Sequence, residues 1–492
     1  MHTSPPLAKL KDLGSITSVS SGETLDSAEL GLKISHSASI LKNLGVGPGS
    51  HVVLCHGNSP DFFTDLFAVW QLGACASCLS PESTTLQVAN VADLLSPSAV
   101  LVDEGFSAGQ GLRAPVICCS REPASNSQLP AGANVFGGDM DGAALILFTS
   151  GTTGAPKGVE HSFRSLSARI ALNRQYIGDE ILANSLCVLP THFGHGLIGN
   201  CLTPLFAGKN LILHQPIGIT SAGRFGKLID THEITFMTSV PALWQLVLKV
   251  AKPPMGGSLR QVSVGSAPLA AKLWRDVISW TGTNNVVNMY GITELANWVA
   301  GASASEFSPE EGLIGRTWGG RAALLDEHGN LRDEGEGELL VESPSLMMGY
   351  HQRPDLTAET MWNGWYKTGD IGRINSGGVL SLVGRTRLEI NRAGIKIHPE
   401  ELESLLVSHP SISEACVFGL PDEISGEKVA AAVCLNAGVA IDTRALRQWC
   451  LTRLRREQIP ERWFIVKEIP TTDRGKINRQ AVIDSCMTME TG

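Results

Sequence analysis

The chain has 492 residues, of which 43% are hydrophobic and 18% charged, and its formal net charge at pH 7 is −9. This length accommodates more than one domain, and the acidic balance argues against a nucleic-acid partner. No apolar stretch reaches the ~18 residues that would span a bilayer, and residues 1–20 carry no apolar segment typical of a signal peptide.

The eleven cysteines are scattered without a disulfide framework. Cys75 and Cys78 form a CxxC motif inside an apolar stretch, but no second ligand pair accompanies them. Buried structural thiols are therefore favoured over a metal or redox site. Reduced cysteines suit the cytoplasm, which is the compartment we expect.

The first part of the chain alternates helical and apolar extended patterns. A helical period covers residues 22–48 and is broken by the glycines and proline of 45–49. Strands are predicted over 51–55, 74–79, 99–102 and 116–119, with a helix over 62–70. This alternation predicts an α/β fold whose largely parallel sheet is covered on both faces.

A predicted strand over 145–148 runs directly into a loop of glycines and hydroxyl residues, 149–158. Glycines leave backbone N–H groups free to turn toward an anion, and hydroxyls and a lysine add donors, so a di- or triphosphate is the expected guest. The spacing is not that of a P-loop, because Gly158 rather than a hydroxyl residue follows Lys157. On composition alone, a plain surface loop remains open. The candidate phosphate ligands are Thr149, Ser150, Gly151, Thr152, Thr153, Gly154 and Lys157.

Further strands are predicted over 185–190, 210–213, 235–241, 261–268 and 286–292, the last running into a polar turn. From about residue 314, short β segments alternate with hairpin-like turns at 326–330 and 375–378. After Gly384-Arg385 the pattern predicts a small α+β domain, with helices near 399–406 and 443–455 and strands near 415–419 and 429–435. We therefore divide the chain into domains 1–385 and 387–492.

Five stretches, taken together, carry a family resemblance. They are residues 149–158, Tyr290-Gly291-Ile292-Thr293-Glu294, Tyr366-Lys367-Thr368-Gly369-Asp370, Gly384-Arg385 with 391–396, and 470–477. In this order and spacing the chain resembles the adenylate-forming superfamily, which includes acyl-CoA and aryl-CoA synthetases, adenylation domains and luciferase. The resemblance covers nearly the whole chain. It implies an N-terminal domain of layered, mostly parallel sheets with helices plus a β-rich subdomain, followed by a small, mobile α+β domain.

The resemblance implies an acid–thiol ligase. A carboxylate attacks the α-phosphate of ATP to give an acyl-adenylate and pyrophosphate, and a thiol, expected to be that of CoA, then takes the acyl group. Phosphoryl transfer of this kind depends on positioning and charge neutralisation. Two alternatives stay open: an adenylation enzyme that loads an acyl carrier protein or an amine, and a non-catalytic nucleotide-binding module.

By the same resemblance, the 149–158 loop holds the β- and γ-phosphates, Thr293 contacts the α-phosphate, and Glu294 holds Mg²⁺, a cation that prefers oxygen ligands. Lys476 is the expected catalytic lysine, since a compact ammonium suits the α-phosphate and the carboxylate. Seen alone, Lys476 would be read as a solvated loop lysine.

The remaining nucleotide contacts implied by the resemblance surround the adenosine. Tyr290 would stack on adenine and Asp370 would accept hydrogen bonds from both ribose hydroxyls; alone, they would be a half-buried strand aromatic and a turn aspartate. The rest of the predicted ATP site is Gly265, Ser266, Ala267, Asn288, Gly291 and Arg385.

The small domain is expected to rotate about a hinge at Arg387, where the family usually has Asp or Lys. In its second pose, Gly394 and Lys396 would face the pantetheine tunnel. The oligomeric state is left open between monomer and homodimer.

The acyl pocket is expected around Pro190-Thr191-His192-Phe193, where many acyl-CoA synthetases have Pro-x-Phe-His. The order of the two rings is inverted here, so His192 is assigned pocket proximity and no catalytic role. The segment has no aspartate, which disfavours an α-amino acid, because a buried ammonium without a partner is costly. Fatty-acyl-AMP ligases of this family carry an insertion before the Gly-Tyr stretch, and residues 322–350 have none. The resemblance therefore favours transfer to a thiol over a reaction that stops at the acyl-adenylate. The predicted pocket wall is His192, Phe193, Val240, Val264, Met289 and Trp298.

Overall fold

The computed structural model describes residues 9–103, 112, 114–118, 133–149, 157–385, 388, 390–392, 395–422, 426–438, 442–454, 456–472 and 476–490. The helices are α1 (Ser27–Asn43), α2 (Pro60–Gln71), α3 (Thr85–Leu95), α4 (Phe163–Ile177), α5 (Thr203–Phe206), α6 (Ile219–Ala222), α7 (Phe225–Thr231), α8 (Pro241–Val250), α9 (Ala271–Thr281), α10 (Pro354–Thr360), α11 (Pro399–Val407), α12 (Thr443–Leu451) and α13 (Arg479–Glu490).

The strands up to residue 303 are β1 (Ile16–Ser18), β2 (Thr24–Leu25), β3 (His51–Cys55), β4 (Cys75–Leu79), β5 (Ala99–Val102), β6 (Val116–Ile117), β7 (Ala143–Thr149), β8 (Lys157–Ser162), β9 (Asn184–Cys187), β10 (Asn210–Leu213), β11 (Phe236–Ser239), β12 (Gln261–Val264), β13 (Val286–Ile292) and β14 (Asn297–Ser303). Those that follow are β15 (Leu313–Thr317), β16 (Arg321–Leu325), β17 (Leu331–Arg332), β18 (Gly335–Glu342), β19 (Gly349–Tyr350), β20 (Met361–Trp362), β21 (Trp365–Ile374), β22 (Leu380–Arg385), β23 (Ile390–Arg392), β24 (Ile395–Ile397), β25 (Ile412–Asp422), β26 (Gly426–Leu435) and β27 (Arg462–Val466).

The first sheet has the strand order β19-β8-β7-β4-β3-β5-β6. Its members from β7 to β6 run parallel, and β8 returns antiparallel to β7, with Thr149 opposite Lys157. The predicted phosphate loop therefore connects two neighbouring strands at one edge of a buried parallel sheet. Ligands of open α/β sheets bind at such strand ends.

The second sheet continues from a parallel part into an antiparallel one. Strands β1, β10, β9, β11, β12 and β13 pair in parallel, whereas β14, β15, β22, β21, β18, β16 and β17 extend the sheet in antiparallel fashion. The antiparallel part is the β-rich subdomain predicted from about residue 314, and both predicted hairpin turns connect paired strands.

A third, five-stranded sheet contains only residues from 390 onward, and α11, α12 and α13 accompany it. Two apolar clusters, around Leu402 and Phe418, are built only from residues of this part. The predicted α/β fold class, with a large layered N-terminal part and a smaller α+β part, is confirmed. The boundary between 385 and 387 stays a prediction.

Local sequence explains where the helices begin. Asp26 caps α1 through the backbone N–H groups of Ala28 and Glu29, and Ser59 caps α2 immediately before Pro60.

None of the helices among the described residues is long and apolar enough to cross a membrane.

A buried polar network fixes the carboxyl end of β3. His56 Nε2 lies 3.0 Å from Asp65 Oδ2 of α2, and His56 Nδ1 lies 2.6 Å from Asp103 Oδ1, just after β5. Ser37 of α1 donates a 2.8 Å hydrogen bond to Asp65. Burial alone would lower the pKa of His56, but the hydrogen bonds to Asp103 and Asp65 outweigh it and hold this pKa above its ordinary value. The imidazolium thus joins two helices to the strand ends.

Because the pKa of His56 is raised on folding, its contribution to stability is complete below its unfolded pKa of about 6.5 and is lost as pH rises through the folded value. We predict that His56→Gln lowers the free energy of unfolding by roughly 3 kcal/mol at pH 6 and by clearly less at pH 9. Urea unfolding across this pH range measures the difference, with His328→Gln, at a side chain 74% exposed, as the control. A difference that grows with pH would contradict the assignment.

Candidate active site

The phosphate loop itself, residues 150–156, lies outside the described residues, and so do Arg387 and Gly394. Its two ends are placed: Thr149 ends β7, and Lys157 opens β8 directly opposite. Lys157 Nζ lies 6.0 Å from the ring centroid of Tyr350, close enough for a cation–π contact. The lysine ammonium is therefore held beside the neighbouring strand β19, which pairs with β8.

Thr293 and Glu294 lie in a single 3₁₀ turn that follows β13. Each carbonyl of this turn has a fixed donor. His161 Nε2 donates to Thr293 O at 2.8 Å, Met347 N donates to Glu294 O at 2.8 Å, and Ser345 Oγ donates to Leu295 O at 2.9 Å. The turn is thus tied to β8 on one side and to residues 345–347 on the other.

His161 and Arg169 hold this turn in place, His161 directly and Arg169 through Ser345. The sequence analysis did not identify either residue. Burial lowers the pKa of His161 to about 4, so the ring is neutral and its Nε2 carries the proton that Thr293 O accepts. Arg169 is fully buried on α4 and donates to Ser345 Oγ at 2.6 Å and to Trp318 O at 3.1 Å. Burial lowers the pKa of Arg169 to about 9, yet the guanidinium stays charged at neutral pH.

Two carboxylates of the predicted site each accept a hydrogen bond from a tyrosine. Tyr350 Oη donates to Glu294 Oε1 at 2.7 Å, and Tyr290 Oη donates to Asp370 Oδ2 at 2.5 Å. Tyr366 Oη lies 3.3 Å from Tyr350 Oη, and burial, followed by the charge of Glu294, raises the pKa of Tyr366. The Tyr366 phenol therefore stays protonated. Glu294 belongs to a group with Tyr350 and Tyr366, whereas Asp370 is paired with Tyr290.

The backbone around Asp370 explains its position. Gly369 adopts a φ of +71° immediately before Asp370, at the point in β21 where the register with β18 shifts. Thr368 Oγ1 accepts a 3.1 Å hydrogen bond from Asp370 N and donates to Leu339 O at 2.7 Å. Asp370 pairs in register with Arg385, whose side chain is among those not described.

The predicted adenine wall follows β12, next to β13. A Cβ atom on Gly265 would lie 3.0 Å from Met289 O, so the two strand ends approach closely there. Ser266 has a φ of +68°, and Ala267 follows it. Asn288 directs its amide nitrogen to Leu313 O at 2.7 Å, which is a structural contact of β13 with β15. At Gly291, where the β13–β14 register shifts, a Cβ atom would lie 2.5 Å from Asn297 O.

The predicted acyl-pocket residues fall into two groups. Val264, Met289 and Trp298 are buried, and Val240 packs against the two largest apolar clusters. His192 and Phe193 are half-buried and their ring centroids are 4.1 Å apart.

The sequence analysis missed His195, the first residue of a π-helix that spans His195–Leu202. His195 Nδ1 lies 2.7 Å from Ser266 Oγ, and its ring meets the Trp298 ring edge-on at 5.9 Å. Among the described residues its Nε2 is buried without a hydrogen-bond partner, and burial lowers the pKa of His195 to about 4. π-Helical turns occur frequently at functional sites. A second histidine three residues after His192 in an apolar run was the available signal.

A second orphaned donor lies in the same cluster. Asn297 Nδ2 is buried without a partner among the described residues, and Asn297 has a φ of +112°. A Cβ atom on Gly199 would lie 2.2 Å from this nitrogen and 2.7 Å from the Trp298 ring, so the π-helix packs directly onto both residues. An unpaired buried polar group costs free energy, and a ligand or water that pairs with it recovers that cost.

Lys476 is exposed, on the segment between β27 and α13. Thr472 N donates to Lys476 O at 2.7 Å, and Lys476 N lies 3.3 Å from Thr472 Oγ1. These two contacts hold Lys476 against Thr472. Lys396 lies in β24 opposite Asn391, but its side chain is not described.

Glu294 fits the role of a magnesium ligand only in part. Within the described residues no group of three or more His, Cys, Asp or Glu side chains could hold a metal ion. A single carboxylate suits Mg²⁺, which keeps several waters and is otherwise held by substrate phosphates.

The comparisons with known proteins cover both parts of the chain. The family model for the AMP-binding enzyme matches residues 10–351, and that for the AMP-binding enzyme C-terminal domain matches residues 401–476. A probable CoA ligase (CCL9) of Humulus lupulus is 30% identical over 472 residues, which are 92% of this chain and 89% of the relative. An oxalate–CoA ligase of Arabidopsis thaliana is 29% identical over 485 residues, 94% of each chain.

Among solved structures, the o-succinylbenzoate CoA synthetase of Bacillus subtilis in complex with its acyl-adenylate superposes with a TM-score of 0.83. The match covers 96% of this chain and 95% of that chain at 23% sequence identity. At this identity the likeness shows a shared fold.

If Asp370 accepts the ribose hydroxyls, Asp370→Asn should weaken ATP binding by roughly 10- to 100-fold, because a hydrogen bond to a charged acceptor contributes about 1.5–3 kcal/mol. Isothermal titration calorimetry measures the change. The control is Arg373→Met, on the same strand as Asp370, which breaks an exposed ion pair with Glu336 of the neighbouring strand β18 and should bind ATP as the parent protein does. Equal affinity for ATP in a folded Asp370→Asn protein would contradict the ribose role.

Proposed function

This chain belongs to the AMP-binding enzyme family, and from that premise we propose that it activates a carboxylic acid with ATP and transfers the acyl group to coenzyme A. Its curated relatives are CoA ligases, which are acid–thiol ligases. The observation that carries the proposal is that Glu294 and Asp370 each accept a hydrogen bond from a buried tyrosine, and that the tyrosine on Glu294, Tyr350, also contacts Lys157.

In the first step, a carboxylate oxygen of the acid forms a bond to the α-phosphorus while the bond to the pyrophosphate oxygen breaks. Thr293 and Lys476 would stabilise the charge that builds on the α-phosphate, and Lys157 would neutralise the departing phosphates. Glu294 would hold Mg²⁺, whose charge offsets that of the triphosphate. Asp370 and Tyr290 would orient the ribose and adenine.

In the second step, the CoA thiolate forms a bond to the acyl carbon and AMP leaves with the bonding electrons. Gly394 and Lys396 would face the pantetheine arm after the part from residue 387 onward rotates about Arg387. A small domain that changes pose between the steps can present a different loop to the same adenylate. We also propose a cytoplasmic location, with which the absence of a disulfide among the ten described cysteines is consistent.

We further propose that the acid carries a second hydrogen-bonding group. His195 Nε2 and Asn297 Nδ2 lie beside Met289 and Trp298 of the predicted pocket and have no partner in the described chain. A carboxylate, carbonyl or hydroxyl oxygen at the far end of the acid would pair with them. The relative that acts on oxalate takes an acid of this kind.

ATP–pyrophosphate exchange over a panel of acids, repeated with and without CoA, tests the function. We expect exchange with at least one short acid bearing a second polar group, and AMP with acyl-CoA when CoA is added. ATP binding without exchange for any acid would instead indicate a nucleotide-binding module. Exchange without thioester formation would indicate a carrier protein or an amine as the acceptor.

His195→Phe keeps a ring against Trp298 and removes the hydrogen-bonding nitrogens. We predict that the KM for an acid with a second polar group rises about 10-fold or more, because the loss of one buried hydrogen bond costs about 1–3 kcal/mol. The KM for ATP and for an unsubstituted acid of equal length should change little. His328→Phe is the exposed control. A uniform loss with all acids would remove His195 from substrate recognition.

A further inference from the structure

A buried ion pair lies at the base of the segment that carries Lys476. Arg479, three residues after Lys476, begins α13, and its guanidinium contacts the carboxylate of Glu403 on α11. Only 17% of the Arg479 side chain and 12% of the Glu403 side chain are exposed. Burial alone would lower the pKa of Arg479, but the Glu403 charge outweighs it and holds that pKa above its ordinary value.

Both members of the ion pair also bind one residue of β25, which lies at the edge of the third sheet. Glu403 Oε1 accepts a 2.7 Å hydrogen bond from Val417 N, and Arg479 Nε donates a 2.9 Å hydrogen bond to Val417 O. The backbone N–H and C=O of Val417 are thus both hydrogen-bonded to the ion pair. Helix α11, strand β25 and the start of α13 are fixed to one another at a single point.

The segment between this point and Lys476 has little freedom. Asn478 N donates to Pro470 O at 2.8 Å, and Thr471 bridges Ile477 in antiparallel fashion. Together with the Thr472–Lys476 hydrogen bonds, these contacts hold residues 470–472 against residues 476–478, and we call these two paired segments the lysine arm. A shift of Arg479 would therefore move the whole lysine arm.

Stability alone does not account for a charged pair at this position. A buried ion pair is often no more stabilising than apolar side chains of similar volume, because both charges lose their hydration. The pair instead fixes the orientation of the two side chains, since the planar guanidinium donates hydrogen bonds to a carboxylate only in a narrow range of geometries. A misplacement of about 1 Å in a catalytic group can cost ~100-fold in rate.

We propose that the Arg479–Glu403 ion pair is a positioning device for the adenylation step, which holds the lysine arm so that Lys476 reaches the α-phosphate. This inference rests on the role proposed for Lys476. Because α11 is also held by Leu402 and Leu406 in an apolar cluster of its own, loss of the ion pair leaves α11 and the preceding strand β24 in place. The second step, which uses the loop before β24, should then proceed.

The test compares Arg479→Met with the double variant Arg479→Met, Glu403→Met. The single variant leaves the Glu403 charge buried and should lower Tm, whereas the double variant removes both charges and should recover most of the Tm. In both, we expect kcat for adenylate formation to fall by about 10-fold or more with little change in the KM for ATP. Thioester formation from supplied acyl-adenylate should stay within about twofold of the parent, since no group that touches CoA is altered.

Two further variants calibrate the result. Lys428→Met breaks the Lys428–Asp422 pair of the same sheet and should leave both half-reactions unchanged. Lys476→Ala should abolish adenylate formation and spare thioester formation. If Lys476→Ala forms adenylate normally, the role proposed for Lys476 fails and the inference fails with it.

If Lys476→Ala behaves as expected but the double variant regains adenylation together with its Tm, the ion pair is only structural and the inference alone is overturned. An equal loss of both half-reactions in the folded double variant would overturn it as well. Arg479→Lys, which keeps the charge but loses the forked geometry, should recover adenylation only in part.

Discussion

The hydrogen bond from Tyr350 to Glu294 is the constraint on which the candidate site depends. Tyr350 belongs to β19 at the edge of the first sheet, and Glu294 follows β13 of the second sheet. This side-chain contact therefore joins β19, the neighbour of the strand that carries Lys157, to the turn that carries Thr293, and the His161–Thr293 hydrogen bond joins β8 to the same turn. Through Tyr366, the same group continues to the strand that holds Asp370, so the ends of three strands are kept in one place. A ligand with several phosphates and a ribose needs donors and acceptors in such a fixed arrangement.

The network works because nearly every buried polar group in it is paired. The three carbonyls of the 293–295 turn each receive a donor, and Arg169 orients one of those donors although it is buried. In a medium of low dielectric constant, satisfied polar groups resist displacement, whereas unsatisfied ones are costly. The nitrogens of His195 and Asn297 belong to a small set of buried polar atoms that have no partner among the described residues, a set that also includes Thr191 Oγ1. They lie next to Met289 and Trp298, which the sequence analysis assigned to the acyl pocket.

The sequence predicted the strands better than the helices. Apolar runs such as 51–55 and 286–292 are buried strands, as expected. A strand covered on both faces is apolar at nearly every position, and such a continuous run is easy to recognise in the sequence. Helices α3, α4, α9 and α13 were not predicted. Helix α4 buries Arg169 and Asn173, so its hydrophobic period is interrupted by polar residues whose hydrogen-bond partners lie on other elements.

For the site, motif residues such as Thr293, Glu294 and Asp370 were identified, but His161, Tyr350 and His195 were not. Their importance depends on partners that are 56 to 132 residues away along the chain, and local sequence does not contain this information.

The most direct test of this account is a crystal structure with a non-hydrolysable acyl-adenylate analogue. The account predicts that both ribose hydroxyls lie about 3 Å from the Asp370 carboxylate, that the Tyr290 ring covers adenine, and that the acyl group points toward His195. A structure in which the ribose is bound elsewhere, while the Tyr290–Asp370 and Tyr350–Glu294 hydrogen bonds persist, would contradict it.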